Sequence, residues 1–435
     1  MEWWSSLLIF ILLLLIALGS GMPVAFAFML LNLLGIYIWG GGGQAVGVLV
    51  YSALTSLTSF TLVTIPLFVF MGEILAHTGM MREVLDALDK WIGQVPGRLG
   101  VLAVSGGTIF GALSGSGMAG VATLGSTLAP EMKRAGYAKE MSIGPILGSG
   151  GLALIIPPSI FAIVVGAVAE VSVASLIIAC VVPGLMLSVL YAVYIIVRAK
   201  IQPDLAPPPA KKNFSFRERC EALIIVLPLG IIIFLVTGII FFGVATPTEA
   251  AALGALGSVV MTGIAGRLSI RAFRDSMLNT VKITGMIFLI VAGSIAFSEF
   301  LAFTGGSRGL SALAIKLPLS PLLMIIAMNV VILILGCLID EFSIVMITIP
   351  IFAPIVKAYG FDPIWFCVLV IINLIVGCST PPFGLFLYVM KAITPEYNLG
   401  EIAIAGAPFF LIAVLLIAII IAFPQIPLWL PGIMK

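Results

Sequence analysis

Ala129-Pro130-Glu131-Met132-Lys133-Arg134-Ala135-Gly136 returns as Ala353-Pro354-Ile355-Val356-Lys357-Ala358-Tyr359-Gly360, with Ala-Pro, Lys and Gly repeated at a spacing of 224 positions. At the same spacing Pro157-Pro158 returns as Pro381-Pro382, and Gly19 and Pro23 return as Gly243 and Pro247. Glu73-x-Leu75-Ala76-x-Thr78-Gly79-x-x-Arg82 returns as Glu299-x-Leu301-Ala302-x-Thr304-Gly305-x-x-Arg308 at 226, a drift that two inserted loop residues explain. An ordered series of matches at one spacing marks a duplicated unit, and many transporter folds are built from such units.

The solvent of the duplicated unit follows from composition. Of 435 residues, 61% are hydrophobic and 9% charged, far from a water-soluble domain. A spanning helix needs about 20 mostly apolar residues, and such runs recur from Leu7 to Leu430, so we expect roughly ten crossings. The N-terminal run lacks a basic leader, its first charge being Glu2, and reads as a first span rather than a signal peptide. Trp3 and Trp4 suit an interfacial belt. No basic-aromatic face indicates nucleic acid. The cysteines (180, 220, 337, 367, 378) have no paired spacing and His77 has no His, Cys or carboxylate partners at metal-ligand spacing, so neither a redox centre nor a transition-metal site is indicated.

The expected fold is an all-α polytopic membrane protein of two inverted-topology repeats. Each carries a re-entrant helical hairpin and a broken helix. The first repeat, 1–197, reads as scaffold helices 1–76, an interfacial arm 80–96, a hairpin 99–133, a broken helix 140–168 and a helix 172–197. A basic, Pro-rich linker, 198–219, follows; its prolines 203 and 207–209 suit a solvated extended segment. The second repeat, 220–435, reads as scaffold helices 221–265, a helix 282–303, an arm 305–318, a hairpin 320–357, a broken helix 362–390 and a helix 402–430. With both termini periplasmic and the linker cytoplasmic, only Arg308, Lys316, Lys357 and Lys435 of the 21 Lys and Arg fall outside, as the positive-inside rule demands. The two arms are short and amphipathic and suit helices lying in the membrane plane.

Polar islands interrupt the apolar runs. Unpaired backbone in lipid costs several kcal/mol per group, so such segments persist only where they line a cavity. One is Gly111 to Gly120, containing Ser114-Gly115-Ser116-Gly117; the next is Gly148-Ser149-Gly150-Gly151 followed by Pro157-Pro158-Ser159. The second repeat offers Gly336-Cys337-Leu338-Ile339-Asp340-Glu341-Phe342-Ser343 and Gly377-Cys378-Ser379-Thr380-Pro381-Pro382. Paired prolines remove successive amide donors, so Pro157, Pro158, Pro381 and Pro382 are expected to break their helices. Helix ends attract anions, and freed carbonyls with Ser and Thr hydroxyls bind hard cations; sodium is the expected one. Asp340 reads as functional at bilayer depth or as a cap on the hairpin tip. Glu341 is the weaker candidate, because neighbouring side chains cannot point the same way. Glu73, Glu249 and Glu299 read as structural, Cys337 and Cys378 as small packing residues.

These residues resemble the large membrane subunit of TRAP (tripartite ATP-independent periplasmic) transporters over nearly the whole chain. The likeness rests on Gly21-Met22-Pro23-Val24-Ala25-Phe26-Ala27, Ser114-Gly115-Ser116, the Ala129-Pro130 element through Tyr137, and Ile155-Ile156-Pro157-Pro158-Ser159. It continues in Thr246-Pro247-Thr248-Glu249-Ala250-Ala251, Asp340 and Thr380-Pro381-Pro382-x-Gly384. The resemblance implies an elevator-type, ion-transporter-superfamily-like carrier in a bacterial or archaeal inner membrane, with no catalysis, no organic cofactor and Na+ as coupling ion. It implies a small four-helix membrane subunit and a periplasmic substrate-binding protein as partners, lipid around them, and an organic acid as substrate (dicarboxylate, keto acid or sugar acid). By that pattern Ser114, Gly115, Ser116 and Gly117 with Gly148, Ser149, Gly150 and Gly151 form one sodium site. Gly336 and Asp340 with Gly377, Cys378, Ser379 and Thr380 form the other. Substrate is expected among Ser116, Gly117, Pro158, Ser159, Asp340, Ser343 and Pro382. Many relatives carry an acidic residue shortly after Ser-Gly-Ser where this chain has Gly120. The alternatives are a stand-alone sodium–dicarboxylate symporter, an intramembrane enzyme, for which no nucleophile with a base is found, and a passive channel, against which the broken helices argue.

Overall fold

A computed structural model describes residues 3–39, 42–207, 215–382 and 384–434. Helices α1 (Trp3–Gly19), α2 (Val24–Trp39), α3 (Gly43–Leu57) and α4 (Thr64–His77) lead to a short α5 (Met80–Ile92). The pair α6 (Arg98–Ser114) and α7 (Gly117–Arg134) follows, then α8 (Lys139–Ile155), α9 (Ile160–Val168) and α10 (Val173–Ile201). The second half runs α11 (Phe216–Ile233), a π-turn over Phe234–Gly238, α12 (Ile239–Phe241), α13 (Pro247–Ile264), α14 (Ile270–Phe303) and α15 (Gly306–Lys316). It ends with α16 (Pro321–Leu338), α17 (Glu341–Ala358), α18 (Pro363–Ser379), α19 (Leu385–Ile393), α20 (Leu399–Ala422) and α21 (Gln425–Gly432). No strand occurs among the described residues.

The order of α5–α9 reappears in α15–α19, and α7 and α17, like α8 and α18, start and stop 224 positions apart. Among the described residues six helices are long and apolar enough to cross a membrane, or up to eight if each bent pair is one span. That is fewer than the roughly ten crossings expected, because α1, α2, α3, α6 and α18 have at most 17 residues. At 1.5 Å per residue such helices reach about 25 Å, short of a hydrocarbon core of about 30 Å. Boundaries also differ from the sequence reading: the arm expected over 80–96 ends at Ile92. The helix expected to begin at 282 begins at Ile270, since no Gly or Pro interrupts 270–284 and the Ser269 hydroxyl accepts the Ala272 N–H at 3.0 Å as a cap. The helix expected over 402–430 stops at Ala422 and restarts at Gln425 across Pro424. The linker prolines 208 and 209 and lysines 211 and 212 lie outside the described residues; its start continues α10 to Ile201.

An aromatic core ties α1 and α2 to α14: Phe10 stacks on Phe297 at 4.7 Å and on Phe300 at 4.9 Å, with Phe28 edge-on to Phe297. Each Glu of the E-x-L-A-x-T-G element is held by the other half. Asn279 donates to Glu73 at 3.0 Å and Ser52 donates to Glu299 at 2.9 Å. Glu249 closes a capping box with Thr246 at the start of α13. All three are structural, as their positions suggested. A larger core unites α6–α10 with α16–α20 and encloses the polar islands.

Candidate functional site

The turn between α6 and α7 is two residues long, and its sequence explains it. Gly115 takes the left-handed conformation (φ +61°) that ends α6, donating to Gly111 O at 2.9 Å. Ser116 then caps α7, its hydroxyl accepting the Ala119 N–H at 3.4 Å. The turn between α16 and α17 is equally short but has no glycine: Ile339 is extended and Asp340 caps α17. One Asp340 oxygen accepts the Phe342 and Ser343 N–H groups, both at 3.0 Å, and the other accepts the Ser343 hydroxyl.

The helix breaks sit where the prolines predict. α8 stops at Ile155, and α9 leaves at 46° after Ser159, whose hydroxyl accepts the Ala162 N–H at 3.2 Å and donates to Leu154 O. α18 stops at Ser379; Thr380 is extended, and Gly384 N–H returns to Thr380 O at 3.0 Å. Pro157-Pro158 and Pro381-Pro382 are both cis. Each break leaves helix-end carbonyls without intrahelical donors.

Glycine lets tips and breaks touch backbone to backbone. A Cβ at Gly111 would lie 2.8 Å from Ala153 Cα, at Gly117 2.7 Å from Gly150 O, and at Gly336 3.0 Å from Gly377 Cα. The halves also interlock crosswise. Phe386 of α19 presses on Gly117 and Gly150, and Phe161 of α9 stacks on Phe342 of α17 at 4.7 Å. The four islands therefore meet. Ser114, Gly115, Gly117 and all of Gly148 to Gly151 are buried, as are Pro157, Pro158 and Ser159. Gly336, Ser343, Gly377, Cys378 and Ser379 are buried too, Ser116, Asp340 and Thr380 are half-buried, and Pro381 and Pro382 are exposed. Of the expected substrate set, only Ser116, Asp340 and Pro382 reach the surface of this conformation.

Two polar groups outside the expected site sets stand out. Glu341 is 5% exposed, its carboxyl lies against the Cys378 thiol, and its Oε2 has no hydrogen-bond partner. Asn373, one turn before Gly377, donates to Asn329 Oδ1 at 2.6 Å and to Leu369 O, while its own Oδ1 has no partner. An amide in mid-span was the signal for Asn373. Adjacency to Asp340 makes Glu341 the weaker candidate in the sequence, yet capping turns Asp340 back onto its helix and leaves Glu341 free to face inward. Buried carboxyl and amide oxygens without hydrogen-bond donors are the kind of ligand a hard cation takes. At the first tip and break the oxygens are those of Ser114, Ser116 and Ser149 and the helix-end carbonyls, a neutral set. Outside the spans, Lys133 donates to Glu396 at 2.7 Å, tying the end of α7 to the loop after α19. That hydrogen bond holds the Glu396 carboxyl below the usual range and raises the lysine.

The family described as the tripartite ATP-independent periplasmic transporter, DctM component, matches residues 7–426. An ectoine TRAP transporter large permease of Halomonas elongata is 31% identical, covering 94% of this chain and 95% of its own. A C4-dicarboxylate TRAP large permease of Pseudomonas aeruginosa is 33% identical over 86% of each. A sialic acid TRAP large permease of Vibrio cholerae is 28% identical over 95% and 96%. Among solved structures, the YdaH transporter of Alcanivorax borkumensis aligns with a TM-score of 0.68 at 14% identity, covering 94% of this chain and 98% of that one. At that identity the likeness speaks to fold alone.

Proposed function

We propose that this chain, which belongs to the tripartite ATP-independent periplasmic transporter family as its DctM component, couples a sodium gradient to uptake of an organic acid. It is a multi-pass large permease subunit of a TRAP transporter in the inner membrane. Its partners by family are a small membrane subunit and a periplasmic binding protein. The observation that carries the coupling reading is the meeting of two hairpin tips with two broken helices, glycine against glycine. That arrangement sets helix N-termini and helix-end carbonyls side by side in a core otherwise closed to water. The N-termini of α7 and α17 offer N–H groups to an anion, and the carbonyls left by α8 and α18 offer oxygens to a cation. Sodium bound at the breaks favours a conformation in which the tips hold the acid, and rigid-body movement of that unit against the α1–α2–α14 frame exposes it to either side. The two halves have inverted topology, both termini are periplasmic, and the 198–219 linker is cytoplasmic.

Relatives of similar identity are named for ectoine, C4-dicarboxylates and sialic acid, so overall similarity does not single out one substrate. The test is uptake of a labelled organic-acid panel into proteoliposomes holding this chain with its small subunit, with and without a sodium gradient and the binding protein. Uptake that needs both is the expected result. Sodium-driven uptake without the binding protein favours the stand-alone symporter, and uptake indifferent to sodium overturns the coupling.

A further inference from the structure

We propose that Glu341 supplies the anionic oxygen of the second cation site, with Asp340 retained as the cap of α17. The inference rests on the sodium reading above and goes beyond it, since the family pattern places no ligand at this position. It begins with what occupies the equivalent place in the first half. Ser116 and Gly117, moved by 224 positions, become Asp340 and Glu341, and Leu154 becomes Cys378. In the first half Gly117 has no side chain, and its backbone sits against Gly150 O with Leu154 beside it. In the second half the same position carries a carboxylate, and the leucine has shrunk to a cysteine that the carboxylate lies against.

Both Asp340 oxygens are engaged at the N-terminus of their own helix. Glu341 differs. It is nearly fully buried, and among the described residues its Oε2 has no hydrogen-bond donor and no Lys or Arg is ion-paired with it. A buried charge without a counter-ion is strongly unfavourable, and a cation arriving beside Gly377 to Thr380 relieves it. The Asn373 Oδ1, also without a donor, lies one turn further into α18. Glu341 gives the second site a negative lining, in contrast to the neutral first site. Sodium is then held more tightly at the second break than at the first, because ligand charge raises the affinity of hard cations.

The experiment follows thermal unfolding of the purified large and small subunits in detergent as sodium replaces choline. In the wild type, sodium raises the unfolding temperature, and Glu341→Gln moves the midpoint of that titration to about tenfold higher sodium or more. Glu341→Asp, which keeps the charge and withdraws it by one methylene, gives an intermediate midpoint and covers the case in which the amide fails to fold. A wild-type midpoint in both variants, with sodium-driven uptake intact, overturns the role of Glu341 alone. Loss of sodium stabilisation in the wild type, together with uptake that ignores the sodium gradient, overturns the sodium reading and the inference with it.

Discussion

The two hairpin tips are the same turn solved by different chemistry. At the first, a left-handed glycine and a serine cap produce a neutral tip, pressed into a wholly buried break at Pro157-Pro158. At the second, an extended isoleucine and an aspartate cap produce an anionic tip, and the prolines of its break stand exposed. A duplicated backbone has therefore diverged at its two tips while its helix boundaries stayed in register. The lesson is that geometry was inherited by both halves and charge was assigned to one.

The largest expected effect tests the shared geometry. Gly377→Ala forces a Cβ to within 2.9 Å of Gly336 Cα, and backbone cannot yield as a side chain does. We expect a loss of about 1–3 kcal/mol in unfolding stability and no uptake; Gly111→Ala, which meets Ala153 Cα at 2.8 Å, is expected to match it. An uptake-competent Gly377→Ala protein would break the claim that the second tip needs this contact.

Next comes the difference in caps. Asp340→Ala removes the acceptor of two N–H groups, costing about 1 kcal/mol, and abolishes coupled uptake. Asp340→Ser restores the capping oxygen and should recover both the stability and the uptake. Recovery of stability alone would show that Asp340 does more than cap its helix. Ser116→Ala is expected to lose no more than about 1 kcal/mol by the same reasoning.

Gly120 sharpens the comparison from the other side. It is buried, and a Cβ there would sit in ordinary contact, 3.5 Å from the Phe110 ring and 3.8 Å from Gly150 Cα. Gly120→Asp adds to the first break the charge it lacks, so we expect a changed sodium dependence or substrate profile in proteoliposomes. An unchanged profile would separate charge at the first break from selectivity.

The smallest effect concerns the Lys133–Glu396 pair. Because the lysine holds the Glu396 carboxyl low, the tie is complete at neutral pH and is lost only as pH falls through that depressed value. Glu396→Gln should lower neutral-pH stability slightly and remove this part of the acid sensitivity, read by unfolding at stepped pH. Both side chains are substantially exposed, which keeps the effect small.

Much of this was legible before any coordinates. The repeated Ala-Pro-x-x-Lys-x-x-Gly and Pro-Pro elements located the hairpins and breaks to within a few residues, because proline and glycine act through their own backbone wherever they stand. The Glu73 and Glu299 pairings were expected in kind, but their reciprocity across the halves was not, since nothing local in E-x-L-A-x-T-G names Asn279 or Ser52 as partners.

By itself, the sequence determined the class, the duplication, the positions of the helix breaks and the family, all of which depend on composition and local backbone chemistry. Tertiary structure alone decided that Asp340 turns onto its own helix while Glu341 turns inward, and that each tip rests on its break glycine against glycine. It also decided which prolines stay exposed. Those outcomes depend on which side chains a packed neighbour leaves room for, and neighbours far apart in the sequence are chosen by folding rather than by spacing.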